Sequence, residues 1–137
     1  MFQYISPLEN LKKETKEAAG FDICIDRELT IKAKTSENIN SGLRVSMPKG
    51  YVGIVKGRSG LAFKHDICPD NTGVIDSDYR GDICIKMRNY SSKDYTFVKG
   101  ERVAQLLILS VPNVEFNKVK VFEEKNKHVG FGSTGKI

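Results

Sequence analysis

Residues 73–81, Gly-Val-Ile-Asp-Ser-Asp-Tyr-Arg-Gly, place two carboxylates and a tyrosine in one short segment bounded by glycines. The two apolar residues after the first glycine are typical of a strand, and Asp76, Asp78 and Tyr79 follow where the chain reverses, which predicts a hairpin. A carboxylate in such a position can take a proton from a water molecule. Because Asp and Gly are also ordinary turn residues, a polar surface hairpin is the alternative for this segment taken alone.

A second group of residues suits the recognition of phosphate. Arg58, Ser59 and Gly60 combine a guanidinium, a hydroxyl and an unshielded backbone N–H, and residues 61–65 predict a short helix whose N-terminal end adds partial positive charge. Gln105 carries an amide within an apolar run, where it either finds a hydrogen-bond partner or points to solvent. An Arg-Ser-Gly surface turn is the alternative for the first of these segments.

Residues 130–135, Gly-Phe-Gly-Ser-Thr-Gly, contain too much glycine for a regular strand or helix. They nevertheless hold an aromatic ring and two hydroxyls. This mixture fits an arm that folds over a bound nucleotide, with Phe131 stacking on the base and with Ser133, Thr134 and glycine N–H groups such as that of Gly132 holding phosphate.

Five segments of the chain match one protein family in order and spacing. They are Ala-Gly-Phe-Asp-Ile at 19–23, Gly-Arg-Ser-Gly-Leu-Ala at 57–62, the segment 73–81, Gly-Glu-Arg-Val-Ala-Gln-Leu at 100–106, and the segment 130–135. The chain therefore resembles the trimeric dUTPases, which hydrolyse dUTP to dUMP and pyrophosphate, and which thereby limit the incorporation of uracil into DNA. The resemblance covers nearly the whole chain.

The resemblance implies roles for the residues of the 73–81 segment. Asp76 matches the family's water-activating aspartate, and Tyr79 matches a tyrosine that packs under the deoxyribose and leaves no room for a 2′-hydroxyl. Uracil is expected to be read by backbone donors and acceptors of Gly73 and Val74. Asn71 is expected to add a side-chain or water-mediated contact.

The resemblance also assigns the residues that face the phosphates and the metal. Gln105 matches a glutamine that reaches the α-phosphate, and Asp22 matches an aspartate that supports the water shell of a Mg²⁺ ion bound to the triphosphate, which makes Mg²⁺ the expected cofactor. Asp78 and Arg80 are expected to serve the fold or subunit contacts. Arg102 is expected to pair with carboxylates between subunits.

One departure from the family pattern lies just before the glycine-rich arm. The family usually has an Arg-Gly pair there, whereas this chain has Lys-Asn-Lys-His-Val at 125–129. Loss of the arginine should weaken the hold on the γ-phosphate or the ordering of the arm. Lys125 or Lys127 is a candidate substitute, as a point charge without the bidentate geometry of arginine.

The elements that must position these residues are mostly short strands. Apolar and polar residues alternate in short runs separated by Gly, Pro, Asn and Ser, and only residues 61–65 predict a helix. The predicted strands lie within 21–25, 29–33, 51–55, 83–87, 95–98, 106–111 and 119–122. The pattern indicates an all-β, jelly-roll-like sandwich or distorted barrel with at most one short helix.

We expect one domain over residues 1–124 and a flexible C-terminal arm over 125–137. The resemblance further implies a homotrimer whose sites lie at subunit interfaces. One chain would supply Asp22, Arg58 to Gly60 and Gln105, a neighbour would supply Asp76 and Tyr79, and the third would supply the arm.

Composition agrees with an enzyme that is synthesised and remains in the cytoplasm. Lys and Arg exceed Asp and Glu by a formal charge of +5, but the basic clusters are mixed with acidic residues, which argues against nucleic acid as a partner. No apolar run is long enough to span a membrane, and the N-terminus lacks the pattern of a signal peptide. Cys24, Cys68 and Cys84 have the spacing neither of a zinc site nor of a disulfide framework.

Two other functions fit the same sequence features. A dCTP deaminase shares the expected fold but acts on the base, and the pair Asp76 and Tyr79 argues for hydrolysis of the triphosphate instead. The other is a regulator that binds dUTP and a protein partner, for which the sequence shows no added interaction module.

Overall fold

The computed structural model describes residues 1–8, 11–70 and 73–123. These residues form eleven short strands and one helix. The strands are β1 (Gln3–Ile5), β2 (Gly20–Cys24), β3 (Leu29–Ile31), β4 (Ser36–Asn40), β5 (Arg44–Ser46), β6 (Tyr51–Lys56), β7 (Ile67–Pro69), β8 (Gly73–Ile75), β9 (Cys84–Asn89), β10 (Tyr95–Phe97) and β11 (Arg102–Ser110), and the helix is α1 (Ser59–His65). The predicted all-β, jelly-roll-like fold with one short helix is confirmed.

The strands form four antiparallel sheets. The largest has the order β2-β11-β6-β8, and the second has the order β4-β9-β7. Two-stranded sheets pair β1 with β5 and β10 with β3. Most of these pairings join strands far apart in sequence, so the site residues carried by β2, β8 and β11 are positioned by long-range contacts.

One apolar core lies between the sheets. Its members alternate with more exposed residues along the strands, as in β9, where the buried Ile85 and Met87 each follow an exposed residue, Cys84 and Lys86. The fully buried core side chains include Ile25, Phe97 and Leu106. The alternation that predicted the strands is therefore the alternation that builds the core.

The connection after β8 differs from the prediction. β8 pairs with β6 in the four-stranded sheet, whereas β9 pairs with β4 and β7 in the three-stranded sheet. The predicted hairpin is wrong, because the segment that links the two strands passes from one sheet to another. Turn residues report a local change of direction, while strand pairing is decided by distant parts of the chain.

The strand predicted over 119–122 is also wrong for the described chain. Residues 111–123 carry no strand, and their apolar side chains are exposed, with Phe116 96% and Val121 81% exposed. A strand needs an edge to pair with. Four other strands, β1, β4, β5 and β7, were not predicted.

No helix in the described ranges is both long and apolar enough to cross a bilayer. The three cysteines are free thiols, with Cys84 exposed and the other two half-buried.

Candidate active site

Adjacent strands place Asp22 and Gln105 side by side. The two residues are direct Cα partners in the antiparallel pairing of β2 with β11. The register of β11 shifts between Arg102 and Ala104, and such a bulge re-aims the side chains that follow it. The amide of Gln105 donates from Nε2 to the carbonyl of Gly57 at 3.0 Å, so this polar side chain has a partner, as one of its two interpretations predicted.

Gly20 leaves the space that the Gln105 side chain occupies. A Cβ atom on Gly20 would lie 2.6 Å from Oε1 and 3.0 Å from Cβ of Gln105. Because the first contact is too short and the second is tight, a side chain at Gly20 would require the Gln105 amide, which bonds to Gly57, to shift. The sequence marked Gly20 only as part of a matching segment, since the crowding depends on which side chain lies diagonally across from it on the neighbouring strand.

The hydrogen bond to Gly57 places Gln105 next to the predicted phosphate clamp. Arg58 precedes helix α1 in an extended conformation, with φ −109° and ψ 132°, and the first helical bond runs from Ala62 N–H to the Arg58 carbonyl. The N–H groups of the first turn therefore lack helical partners. Ser59 and Gly60 are exposed, and the half-buried Arg58 guanidinium donates from Nη1 to the Arg102 carbonyl at 3.3 Å.

This arrangement can hold anionic oxygens. A guanidinium, a hydroxyl, an amide and backbone N–H groups lie along one stretch that runs from β11 to the start of α1. All of them are donors, and donors to phosphate are strengthened by its charge. The fold therefore brings Arg58, Ser59, Gly60 and Gln105 into one neighbourhood.

Asp22 lies against Arg102. Oδ2 of Asp22 is 3.7 Å from Nη1 of Arg102, which also forms an ion pair with Glu14. Within its own chain, Arg102 therefore already pairs with two carboxylates. The Asp22 side chain is 16% exposed, so one carboxylate oxygen is accessible to a hydrated cation while the backbone of Asp22 stays paired in β2.

The Asp22 carboxylate is compatible with a place beside a hydrated Mg²⁺ ion. Within residues 1–8, 11–70 and 73–123, no three His, Cys, Asp or Glu side chains are grouped closely enough to hold a metal. Magnesium usually keeps several waters and takes one or two carboxylates together with substrate phosphates. A single carboxylate beside a phosphate clamp is compatible with that mode.

Glu101 and Tyr95 stabilise the turn that leads into β11, a contact that the sequence analysis did not find. The Tyr95 hydroxyl donates to Oε1 of Glu101, and Oε2 accepts from the Val98 N–H at 3.0 Å. Burial, the hydrogen bond to Glu101 and the negative charge of Glu101 raise the pKa of Tyr95 to about 12, while the nearby Arg58 cation acts in the opposite direction. The Glu101 carboxylate thus fixes the residues next to the Arg102 carbonyl that holds Arg58.

The raised pKa of Tyr95 gives a prediction for alkaline solution. The Tyr95 phenol ionises near pH 10 in the unfolded chain and near pH 12 in the folded protein. Its contribution to the free energy of unfolding is therefore fully present below pH 10 and is lost as the pH rises to about 12. When the folded protein is titrated with base, its phenolate absorbance should contain a component that appears near pH 12. That component should be absent in Tyr95→Phe, which keeps the ring contacts with His65 and Phe97. If Tyr95→Phe retains that component, it belongs to another tyrosine.

The segment after β8 holds Asp76 and Tyr79 in a tight turn. The Tyr79 N–H donates to the Asp76 carbonyl at 3.0 Å, and the Tyr79 hydroxyl donates to the Asp82 carbonyl at 2.8 Å. Asp76 is exposed, and the Tyr79 ring is 43% exposed. The carboxylate and part of the Tyr79 side chain are therefore accessible to a ligand.

Gly81 and Arg80 shape that turn in different ways. A Cβ atom on Gly81 would lie 2.5 Å from the Tyr79 hydroxyl, so glycine is required by the close approach of the ring. Arg80 donates from Nη1 to the carbonyls of Ser77 at 2.6 Å and Tyr79 at 2.9 Å. Within its own chain, the Arg80 guanidinium is therefore bound to the backbone of the turn.

Within one chain, the turn and the phosphate clamp lie apart. β11 pairs Gln105 with Lys56 of β6, whereas β8 pairs Ile75 with Gly53 of β6. If that register is continued by one residue, Asp76 lies opposite the β6 residue four positions before Lys56. Asp76 is therefore about 13 Å along the strands from the level of Lys56 and Gln105, here called the Gln105 row. The fold therefore brings together Asp22, Gln105 and the clamp, and it presents Asp76 with Tyr79 at a second place.

Gly73 and Val74 form the start of β8, which is the edge strand of its sheet. The other predicted site residues, Asn71, Phe131, Gly132, Ser133 and Thr134, lie outside the described residues.

Comparison with known proteins gives consistent matches. The family model dUTPase matches residues 7–135. The deoxyuridine 5′-triphosphate nucleotidohydrolase of Nautilia profundicola is 42% identical over 125 residues, covering 90% of this chain and 88% of the relative. The enzyme of the same name from Zymomonas mobilis is 39% identical over 120 residues, covering 86% and 82%.

Solved structures agree. The dUTPase of Staphylococcus bacteriophage 80alpha with dUpNHpp is similar with a TM-score of 0.88 and 26% identity, over 98% of each chain. A mutant dUTPase from phage phi11 of S. aureus, whose structure reveals the coordination of a structural Mg(II) ion, is similar with a TM-score of 0.81 and 25% identity, over 90% of this chain and 99% of that one.

Proposed function

The chain belongs to the dUTPase family, and from that premise we propose which role each residue of the site has in the hydrolysis of dUTP to dUMP and pyrophosphate. The protein is a dUTP diphosphatase. The observation that carries the assignment is the family match over residues 7–135, together with the grouping of Asp22, Gln105 and the Arg58 clamp by the fold.

In the proposed reaction, water attacks the α-phosphorus and Asp76 accepts its proton. The bond between the α-phosphorus and the bridging oxygen breaks, and pyrophosphate leaves. The exposed position of the Asp76 carboxylate and the backbone bond that fixes its turn support this role. Arg58, Ser59, Gly60 and Gln105 stabilise the charge on the phosphate oxygens.

The nucleoside is held beside the same turn. We place the deoxyribose against Tyr79, whose ring is fixed at its hydroxyl by the Asp82 carbonyl. Among the described strands, the outer edge of β8 at Gly73 and Val74 has no partner, and its backbone groups can imitate a pairing base, with Asn71 as a further contact. A ring fixed in this way excludes a 2′-hydroxyl by lack of space.

The complete site requires more than one chain, and we propose a homotrimer. The separation of about 13 Å between Asp76 and the Gln105 row leaves the water-activating group of one chain too far from its own clamp. A neighbouring copy supplies it. The exposed apolar side chains of residues 111–123 support the same conclusion, since such a surface needs a partner.

Magnesium supplies charge neutralisation of the triphosphate when it is bound. Asp22 would hold its water shell from β2, beside the clamp. The ion pair with Arg102 orients the Asp22 carboxylate for this role.

We propose that the domain ends near residue 124 and that 125–137 form an arm that closes over the nucleotide. Phe131 would stack on uracil, and Gly132, Ser133 and Thr134 would bind phosphate. Lys125 or Lys127 would supply the charge that the family places on an arginine. These assignments rest on the sequence.

A nucleotide panel tests the proposed function. Purified protein with Mg²⁺ should release pyrophosphate from dUTP, with dCTP, dTTP and UTP as poor substrates, and it should release no ammonia from dCTP. Ammonia from dCTP would assign the chain to deamination. Failure to release pyrophosphate from dUTP would contradict the assigned activity.

Tyr79→Ala tests the placement of the sugar. The wild type should hydrolyse dUTP much faster than UTP, and the variant should reduce that ratio by about 10-fold or more, because one well-placed contact contributes a factor of this order. Tyr51→Ala provides a matched control, since Tyr51 is a half-exposed tyrosine on β6. Equal discrimination in wild type and Tyr79→Ala would remove Tyr79 from the sugar site.

A further inference from the structure

The segment 40–44, which runs from the last residue of β4 to the first residue of β5, contacts the turn that carries Tyr79. Arg44 donates from Nε to the Arg80 carbonyl at 2.6 Å, and the same Nε lies 4.0 Å from Oδ1 of Asp82. Asn40 donates from Nδ2 to Oδ2 of Asp82 at 2.9 Å. Two side chains from this segment therefore hold the turn where the chain leaves it.

These contacts reach Tyr79 through the backbone. The carbonyl of Asp82 accepts the Tyr79 hydroxyl, and the close approach of Gly81 leaves the ring no room to shift toward the chain. A displacement of residues 80–82 would therefore move the acceptor that fixes the ring. The position of the ring depends on the position of the Asp82 carbonyl.

The segment 40–44 is itself anchored in the core. Ile83 N–H donates to the Leu43 carbonyl at 2.8 Å, and Ser41 donates from its N–H at 3.1 Å and from its hydroxyl at 2.6 Å to the Ile83 carbonyl. All three residues are buried. The segment can therefore act as a fixed support for the turn.

Asn40 is preset for its contact. Its Oδ1 accepts from the Gly42 N–H at 2.8 Å, and Gly42 has φ 68°, a conformation that favours glycine. The remaining amide nitrogen is thereby directed at Asp82.

We propose that Arg44 is a positioning residue that sets the preference of the enzyme for deoxyribose over ribose, because it holds the Arg80–Asp82 backbone against which Tyr79 is fixed. The inference rests on the proposed placement of Tyr79 at the sugar. Asn40 supports the same backbone through the Asp82 side chain.

The directed hydrogen bond, and not the charge of Arg44, carries this effect. The ion pair with Asp82 is 4.0 Å long and joins side chains that are 47% and 41% exposed, and such pairs contribute little. The Nε bond to the Arg80 carbonyl is short and comes from a charged donor. Lysine has no donor at that position along its side chain, so Arg44→Lys should behave like Arg44→Ala.

The test measures kcat/KM for dUTP and for UTP in the same variants. Arg44→Ala and Arg44→Lys should each lower the dUTP-to-UTP ratio by about 3- to 10-fold, the range for losing one ordinary hydrogen bond. Asn40→Ala should lower it in the same direction. Arg27→Ala is the matched control, because Arg27 donates to the Asn40 carbonyl at 3.1 Å but not to the turn.

A double variant separates this inference from the function on which it rests. Once Tyr79 is replaced by alanine, Arg44→Ala should change the ratio no further. If the dUTP-to-UTP ratio is unchanged in Arg44→Ala but is lowered in Tyr79→Ala, the positioning role of Arg44 alone is overturned. An unchanged ratio in Tyr79→Ala overturns the placement of the sugar and the inference with it, while rescue by Arg44→Lys would assign the effect to charge.

Thermal unfolding and oligomeric state of each variant show whether the fold is kept. If Arg44→Ala loses its oligomer, Arg44→Met keeps the side-chain stem and removes only the donors. The ratio in Arg44→Met then decides, and a wild-type ratio overturns the proposal.

Discussion

Asp76→Asn should lower the rate of dUTP hydrolysis by about two to four orders of magnitude while leaving nucleotide affinity nearly unchanged. An amide has the shape of the carboxylate but does not accept a proton from the attacking water. The bond that closes the turn uses the Asp76 backbone carbonyl and survives the substitution. The loss should therefore appear in kcat and not in binding.

Single-turnover release of pyrophosphate, together with calorimetric binding of a non-hydrolysable dUTP analogue, separates the two quantities. Asp78→Asn is the matched control, because it removes a second exposed carboxylate from the same turn. Near-normal turnover in Asp76→Asn would place the proton acceptor elsewhere.

Arg58→Ala should reduce kcat/KM for dUTP by about two to three orders of magnitude, as expected for the loss of a principal donor to transition-state charge. Arg58 lies directly before α1, half-buried, and its guanidinium donates a long hydrogen bond to the Arg102 carbonyl. That bond is weak enough to exchange for a phosphate oxygen. The kcat/KM of Arg58→Lys should lie between those of the wild type and Arg58→Ala, since lysine keeps the charge and lacks the planar guanidinium.

Steady-state kinetics measure the loss, and binding of deoxyuridine provides the internal control. Deoxyuridine carries no phosphate, so its affinity should be the same in wild type and Arg58→Ala. A parallel loss of deoxyuridine binding would indicate a disturbed fold and contradict a role confined to phosphate.

Much of the fold could be predicted because the signal was local. The alternation in 83–87 predicted β9, and the turn residues before 61–65 predicted α1, which begins two residues earlier at Ser59. β4 was not predicted because Ser36–Asn40 is polar apart from the buried Ile39. Its strand conformation comes from pairing with β9, which no local pattern reveals.

The candidate site divides in the same way. Residue type and order were enough to mark Gln105 and Asp76, whereas the crowding of Gln105 by Gly20 and the support of the turn by Arg44 depend on contacts across sheets. The hairpin prediction failed at the same point, since β8 and β9 find their partners in different sheets.

The distance between the turn of Asp76 and the clamp of Arg58 within one chain also bears on inheritance. In the proposed homotrimer with shared sites, each chain gives its Asp76 to one site and its Arg58 to another. A copy defective only at Asp76 and a copy defective only at Arg58 still assemble, in mixed oligomers, some sites in which both groups are intact. Two recessive alleles of this gene would therefore complement each other in one cell, although neither product is active alone.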